Sequence, residues 1–177
     1  FGSREKTDWF IDNVCTWEWN NQTDIGKTFA ESVDEKIAEF PEWEKEIRMY
    51  WEQWEDMIGG AVEGMEEWIR ELKEAGYNVY GLSNWSSETF PLVKNKFPVF
   101  GMMDGIVMSG EELIAKPDLR IYQILLDRYG LKADECVFID DRQSNIDAAQ
   151  VIGIHGITFK SCEQTKQAFH QIANKYN

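Results

Sequence analysis

The chain has 177 residues, 43% of them hydrophobic and 14% aromatic, enough for one well-buried core with a small satellite layer and too apolar for a disordered chain. It sets 18 basic residues against 32 acidic ones, a formal charge of -14, the reverse of the basic footprint that a phosphate-backbone partner requires. That balance argues against nucleic acid but not against a lone phosphate, which a few donors and a metal ion can hold whatever the net charge.

Residues 1 to about 75 contain no alternating run and several stripes of period 3.6, so they are expected to be wholly helical. The strongest stripe is PEWEKEIRMYWEQWEDMI, 41–58. Trp43, Ile47, Tyr50, Trp51, Trp54 and Ile58 fall on one side of it, and Glu42, Glu46, Glu52 and Glu55 lie largely off that side. Pro41 marks its start and Gly59-Gly60 its end. A tryptophan stripe of this kind reads as core packing before it reads as a ligand box. A second helix is expected from about Glu63 to Glu74, closed by Gly76.

Beyond Gly76 the pattern changes. NVYGLS (78–83) has strand length, and a helix is expected from about Ser86 to Phe97. GIVMS (105–109) reads as a strand and PDLRIYQILLDRYG (117–130) as an amphipathic helix. CVFID (136–140) reads as a strand, and SNIDAAQVIG as a helix opened by a Ser144-x-x-Asp147 capping pattern. GIHGITF (153–159) is a last strand, and CEQTKQAFHQIANKY (162–176) a closing helix. Strands alternating with helices at this spacing predict an α/β fold with a parallel sheet covered on both faces.

No run approaches the roughly 18 apolar residues of a membrane span, and no leader pattern opens the chain. Cys15, Cys136 and Cys162 are odd in number and widely spaced, without a ligand pattern, so they read as reduced, mostly buried thiols of a cytoplasmic protein.

In open parallel sheets ligands bind beyond the carboxyl ends of the strands, and three signals sit there. Ser83 and Asn84 follow the VYGL strand, where a hydroxyl, an amide and free N–H groups can face one anion. Lys116 stands just before a helix and offers a point positive charge. Asp140 and Asp141 end a strand, where a hard cation is held through one or two carboxylates. Taken singly, these are also a capped turn, a surface lysine and a pair of acids that repel each other. Their order and setting give them joint meaning.

GLSNWSSETF, IAKPDLRIYQ and VFIDDRQSNIDAA together resemble motifs two, three and four of the haloacid dehalogenase-like (HAD) hydrolase superfamily. The subgroup they resemble carries a helical cap between motifs one and two. The resemblance implies an α/β fold in which a Rossmann-like parallel core of about 61–177 carries an inserted helical-bundle cap of about 1–60. It implies that Ser83 and Asn84 bind the transferring phosphoryl group, that Lys116 and Asp140 are catalytic, and that Asp141 ligates Mg2+. Asn145 and Trp85 are implied as supporting residues, and Trp85 with Trp17 or Trp19 as walls of a leaving-group pocket. The implied protein is a Mg2+-dependent phosphatase of small phosphorylated metabolites, sugar phosphates included, working through an aspartyl-phosphate as a monomer or homodimer. Alternatives are a 2-haloacid dehalogenase, an inactive binding module using Trp9, Trp17, Trp19 and Trp43 as anchors, and a phospho-receiver domain, whose acids would come first in the chain.

The family's first motif, a strand ending in DxD that bears the nucleophile, has no counterpart here. Asp12 lies in a helical context and Asp104 lacks a preceding strand. Because the chain also begins with Phe1, it is expected to lack an N-terminal core strand and loop of roughly 20 to 30 residues, a cloning remnant at Phe1 being the alternative.

Overall fold

The computed structural model describes residues 1–175. Tyr176, the last residue of the expected closing helix, and Asn177 lie outside the described residues. The amino-terminal part is helical, as its periodicity requires. Helix α1 (Arg4–Asn13) begins where Lys6 N–H donates to Ser3 Oγ, and α2 (Trp17–Asn20) where Trp19 N–H donates to Thr16 Oγ1. Helix α3 (Phe29–Glu39) opens with a reciprocal capping box between Thr28 and Glu31. With α4 (Glu44–Glu52) these helices bury a cluster of their own around Phe10, Val14, Trp19 and Ile47. Burial there pushes the Cys15 thiol up to about 12, outweighing the charge of Lys36. Cys15 is buried as expected, whereas Cys136 and Cys162 are only partly so.

The stripe over 41–58 is not one helix. Pro41–Trp43 and Trp54–Met57 form single tight turns on either side of α4, and the backbone leaves helical geometry at Gln53. The break has a packing cause. Trp43, Tyr50 and Trp51 pack into the amino-terminal cluster, while Trp54 and Ile58 pack against Phe90, Val93 and Met108 of the following layer. A straight helix would hold positions 51, 54 and 58 on one face and could not serve both clusters.

Helix α5 (Met65–Glu74) starts two residues later than expected and leads into β1 (Tyr80–Ser83). Of the helix expected over 86–97 only α6 (Phe90–Val93) forms. Ser86 Oγ accepts the Glu88 N–H at 3.2 Å, a local bond that competes with the helix, and Pro98 holds Phe97 extended at the other end. Two short helices absent from the expectation, α7 (Pro98–Met102) and α8 (Ser109–Glu112), flank β2 (Gly105–Met108). Helix α9 (Leu119–Tyr129) runs from the Asp118 cap to Gly130, whose φ of 63° supplies the left-handed turn.

Strand β3 (Val137–Asp140), helix α10 (Gln143–Val151), strand β4 (His155–Thr158) and helix α11 (Cys162–Ala173) follow. The expected Ser144 cap does not form. Arg142 is the cap residue, with no side-chain bond, and Ser144 lies inside α10, where Gln143 bonds Asp147 instead.

Strand β1 pairs in parallel with β2, Ser83 opposite Met108, and β3 pairs in parallel with β4, Asp140 opposite Thr158. The strand type is as expected, but the described residues form two separate parallel pairs and not one sheet, because β1 and β3 share no ladder. Helices α9 and α10 cover one face through Ile121, Tyr122, Leu125 and Ala149. Helices α5 and α11 cover β4 on another through Trp68, Phe169 and Ile157. No helix among the described residues is long and apolar enough to cross a membrane.

Candidate active site

The carboxyl ends of β1 and β3 lie together, and Lys116 joins them. Its Nζ donates to Leu82 O of β1 and to Asp140 Oδ2 of β3, both at 2.7 Å. The ammonium also lies 5.4 Å from the centre of the Phe138 ring, so it is held from three sides. Side-chain exposure is 10% for Lys116 and 7% for Asp140, which makes this the most shielded ion pair among the described residues. Asp140 Oδ1 accepts the Arg142 N–H and the Asn145 Nδ2–H, each at 2.9 Å. Burial by itself would raise the Asp140 carboxyl. The Lys116 hydrogen bond, the Arg142 N–H, the Lys116 charge and the Asn145 amide outweigh it and hold the group below the usual carboxylate range. Asn145 is itself buried, and its carbonyl accepts the Tyr122 hydroxyl at 2.8 Å.

Asn84 ties the first loop to the lysine from both ends of its amide. Its Nδ2 donates to Lys116 O at 3.0 Å, and its Oδ1 accepts the Lys116 N–H at 2.8 Å. The loop is pinned again one residue on. Trp85 N–H donates to Ser109 Oγ at 3.0 Å, and the Gly110 N–H donates to Trp85 O at 3.1 Å. Ser83, at the end of β1, is partly buried. The structure therefore brings Ser83, Asn84, Lys116, Asp140 and Asn145 into one assembly, with Trp85 on its rim.

Asp141 differs from its neighbour. It is exposed and makes no hydrogen bond or ion pair with the described residues, so the adjacent acids have different surroundings. Among the described residues no group of three or more His, Cys, Asp or Glu side chains gathers as a metal site. One uncommitted carboxylate beside a committed one fits a hard cation such as Mg2+ only as part of a shell, the remainder coming from water, substrate oxygen or a further carboxylate.

Above this assembly lies a cavity of about 310 Å3 between the helical layer and the strand layer. Trp17 and Trp85 line it as expected, but Trp19 does not. It is 5% exposed, inside the amino-terminal cluster, with its indole N–H on Ser32 O. Three further contacts cross between the layers. The Arg142 guanidinium lies 5.1 Å from the Trp17 ring centre, Glu88 Oε2 accepts the Phe29 N–H at 2.7 Å, and the Asp24 carboxyl takes the Ser86 N–H. No local signal in so acidic a sequence marks Asp24 or Arg142; only the packing of the two layers does.

Burial pushes the Asp24 carboxyl up to about 6, more than the Ser86 N–H pulls it down. Folded Asp24 thus holds its proton more tightly than the unfolded residue, whose pKa is about 3.9. Its stabilising contribution is complete below that value and is lost as pH rises through about 6. Replacing Asp24 with asparagine, which keeps the acceptor for Ser86, is expected to stabilise the protein at pH 8 by about 1 kcal/mol after allowance for solvent screening, and to leave stability near pH 4 unchanged. Denaturant unfolding at the two pH values measures this, and a wild-type advantage at pH 8 would contradict it.

A profile of the haloacid dehalogenase-like hydrolases matches residues 5–153. The chain belongs to that family. It is 32% identical over 107 residues to the sesquiterpene phosphatase of Aspergillus oryzae, a match covering 58% of this chain and 55% of that protein. It is 30% identical over 91 residues to an (S)-2-haloacid dehalogenase of Burkholderia cepacia, covering 51% of this chain and 39% of the other. The matched stretch is thus about half of the phosphatase's length and less of the dehalogenase's. A HAD-family enzyme of Bacteroides thetaiotaomicron, solved with magnesium and inorganic phosphate, superposes with a TM-score of 0.69 at 23% identity. The superposition covers 89% of this chain and 83% of that one. The mixed α/β arrangement with parallel strands thus matches the HAD-family enzymes, as the three motifs led one to expect.

Proposed function

We propose that this hydrolase is a Mg2+-dependent phosphatase of a small phosphorylated metabolite, working through an aspartyl-phosphate on a nucleophile upstream of Phe1. The observation that carries the reading is the convergence of a shielded ammonium, an amide and a free carboxylate at the ends of β1 and β3. Ser83 through its hydroxyl and Asn84 through its backbone N–H bind the phosphoryl oxygens, the Asn84 side chain being held on Lys116. Lys116 offsets their charge and is held in place by Asp140 and Leu82 O. Asp140 touches Lys116 and Asn145, and so acts by positioning that ammonium. Asp141, with Asp140 beside it, would hold Mg2+, which when bound supplies charge neutralisation to the phosphoryl oxygens and the attacking group. Residues 1–60 act as the cap, closing over the leaving group, while about 61–177 is the core.

The nucleophile is assigned to a strand between β1 and β3. Each of these strands has a ladder partner on one side only, and no aspartate among the described residues ends a strand opposite Lys116 apart from those already named. Intact mass and amino-terminal sequencing of the protein isolated from its source test that assignment. The relative from Aspergillus is a phosphatase, and the Bacteroides enzyme binds magnesium and phosphate, which supports the same chemistry. The Burkholderia relative keeps dehalogenation as the second reading.

The two separate in one assay on the full-length protein. Phosphate release from phosphomonoesters is expected to require Mg2+, to vanish with a chelator, and to fall about 100-fold in Asp141→Asn. Halide release from a 2-haloacid without added metal, and no phosphate release, would overturn the phosphatase reading.

A further inference from the structure

The cap–core cavity has walls that suit one kind of leaving group. Trp17, Phe29, Tyr50, Trp51, Trp54 and Trp85 present six rings to it, and Phe29 and Trp51 stack with centres 4.0 Å apart. The polar groups among the rings are mostly committed to one another. Tyr50 hydroxyl donates to Asn20 Oδ1 at 3.4 Å, Thr23 Oγ1 to Asn20 O at 2.8 Å, and the Trp85 indole N–H to Thr89 Oγ1 at 2.9 Å. Asn84, which also lines the cavity, has both ends of its amide on Lys116. Two groups stand apart: the Trp51 indole N–H, buried with no hydrogen-bond partner among the described residues, and Asp24. Its carboxyl takes the Ser86 N–H and retains further acceptor capacity toward the cavity it lines.

We propose that this cavity receives the leaving group of the phosphoester, and that the leaving group is a flat, largely apolar ring system carrying a hydrogen-bond donor for Asp24. The proposal rests on the phosphatase reading and narrows its substrate class. Asn84, Trp85 and Ser86 are consecutive, so the loop that binds phosphate at one end walls the cavity at the other. A substrate held at Asn84 would thus project its alcohol half between the rings. Stacking and apolar burial favour a ring there. A sugar or glycerol unit fits poorly, because several hydroxyls would leave water and find only one open carboxylate, Asp24, and one buried open donor, the Trp51 indole N–H. The volume, about 310 Å3, is that of a small ligand site and holds a one- or two-ring group.

The test compares four esters on the full-length protein with Mg2+: indoxyl phosphate, naphthyl phosphate, glycerol phosphate and a hexose phosphate. Both ring esters are expected to exceed both polyol esters in kcat/KM by about 100-fold. Indoxyl and naphthyl differ mainly in the ring N–H. Asp24→Ala is therefore expected to lower the indoxyl-to-naphthyl ratio about tenfold, a change that a merely structural role for Asp24 would not produce. Trp51→Ala should raise KM for both ring esters more than it lowers kcat.

Polyol esters turned over as well as ring esters would overturn this inference and leave the phosphatase reading standing. An indoxyl-to-naphthyl ratio unmoved in Asp24→Ala would also overturn it. If no ester is hydrolysed, the phosphatase reading fails, and calorimetric titration of the same protein with indole and naphthol decides the cavity. Binding that Trp51→Ala weakens would support a ring pocket, and no binding would overturn it.

Discussion

Replacing Lys116 with methionine is expected to lower phosphate release about 1,000-fold and to destabilise the fold by about 3 kcal/mol. Methionine matches the aliphatic stem of lysine and leaves little cavity, so the loss reads the charge. Without the ammonium, Asp140 is left as a 7% exposed carboxylate holding two neutral donors, Arg142 N–H and Asn145 Nδ2–H. Those two donors keep the cost at the low end of the range for a broken buried pair. Leu82 O loses its side-chain donor at the same time. Urea unfolding and initial rates with saturating Mg2+ measure the two effects. The cycle with Asp140→Asn adds a check: if the pair is the cause, the double substitution costs clearly less than the two single losses added together. A Lys116→Met protein with wild-type turnover would remove the lysine from the mechanism.

The second large effect falls on a residue with no side chain. A Cβ built on Gly110 would lie 2.5 Å from Ser87 N and 2.7 Å from Trp85 O, both backbone atoms. They cannot swing aside, because the Gly110 N–H is bonded to that same Trp85 oxygen and Trp85 N–H is bonded to Ser109 Oγ. Gly110→Ala must therefore push the 84–87 loop away from β2, and with it Asn84 and the wall of the cavity. The expected result is a loss of about 2–3 kcal/mol in stability and about tenfold or more in kcat/KM, the latter because the Asn84 amide is displaced from Lys116. Gly101→Ala is the matched control. It lies in α7 with nothing within 4 Å of its built Cβ, so it should be neutral or slightly stabilising. Thermal melts and steady-state kinetics of both variants decide the matter. Equal behaviour of the two would show that the loop tolerates the contact.

Much of the arrangement at the strand ends was legible along the chain, because each element of it is local. Ser83-Asn84 and Asp140-Asp141 each follow a short apolar run, and a run of that length that ends in polar residues marks where a strand surfaces. Lys116 precedes a helix whose proline and terminal glycine are visible in sequence. The order of these residues and the alternation of strand and helix thus came from the sequence by itself, and so did the family they point to.

What tertiary structure alone decided is how the two layers meet. The stripe over 41–58 breaks at Gln53 because its tryptophans serve two different clusters, and neither cluster is written in the segment itself. Ser144 lies within α10 and Arg142 takes the cap position, leaving the Arg142 guanidinium on the Trp17 ring across the layer boundary. Asp140 and Asp141 are alike in sequence, yet one is buried on a lysine and the other open to solvent. Asp24 is one acid among 32, and only its burial against Ser86 sets it apart. Periodicity reports which face of a segment is apolar. Which partner that face meets, and which charge is thereby taken out of water, depends on contacts between residues far apart in the chain.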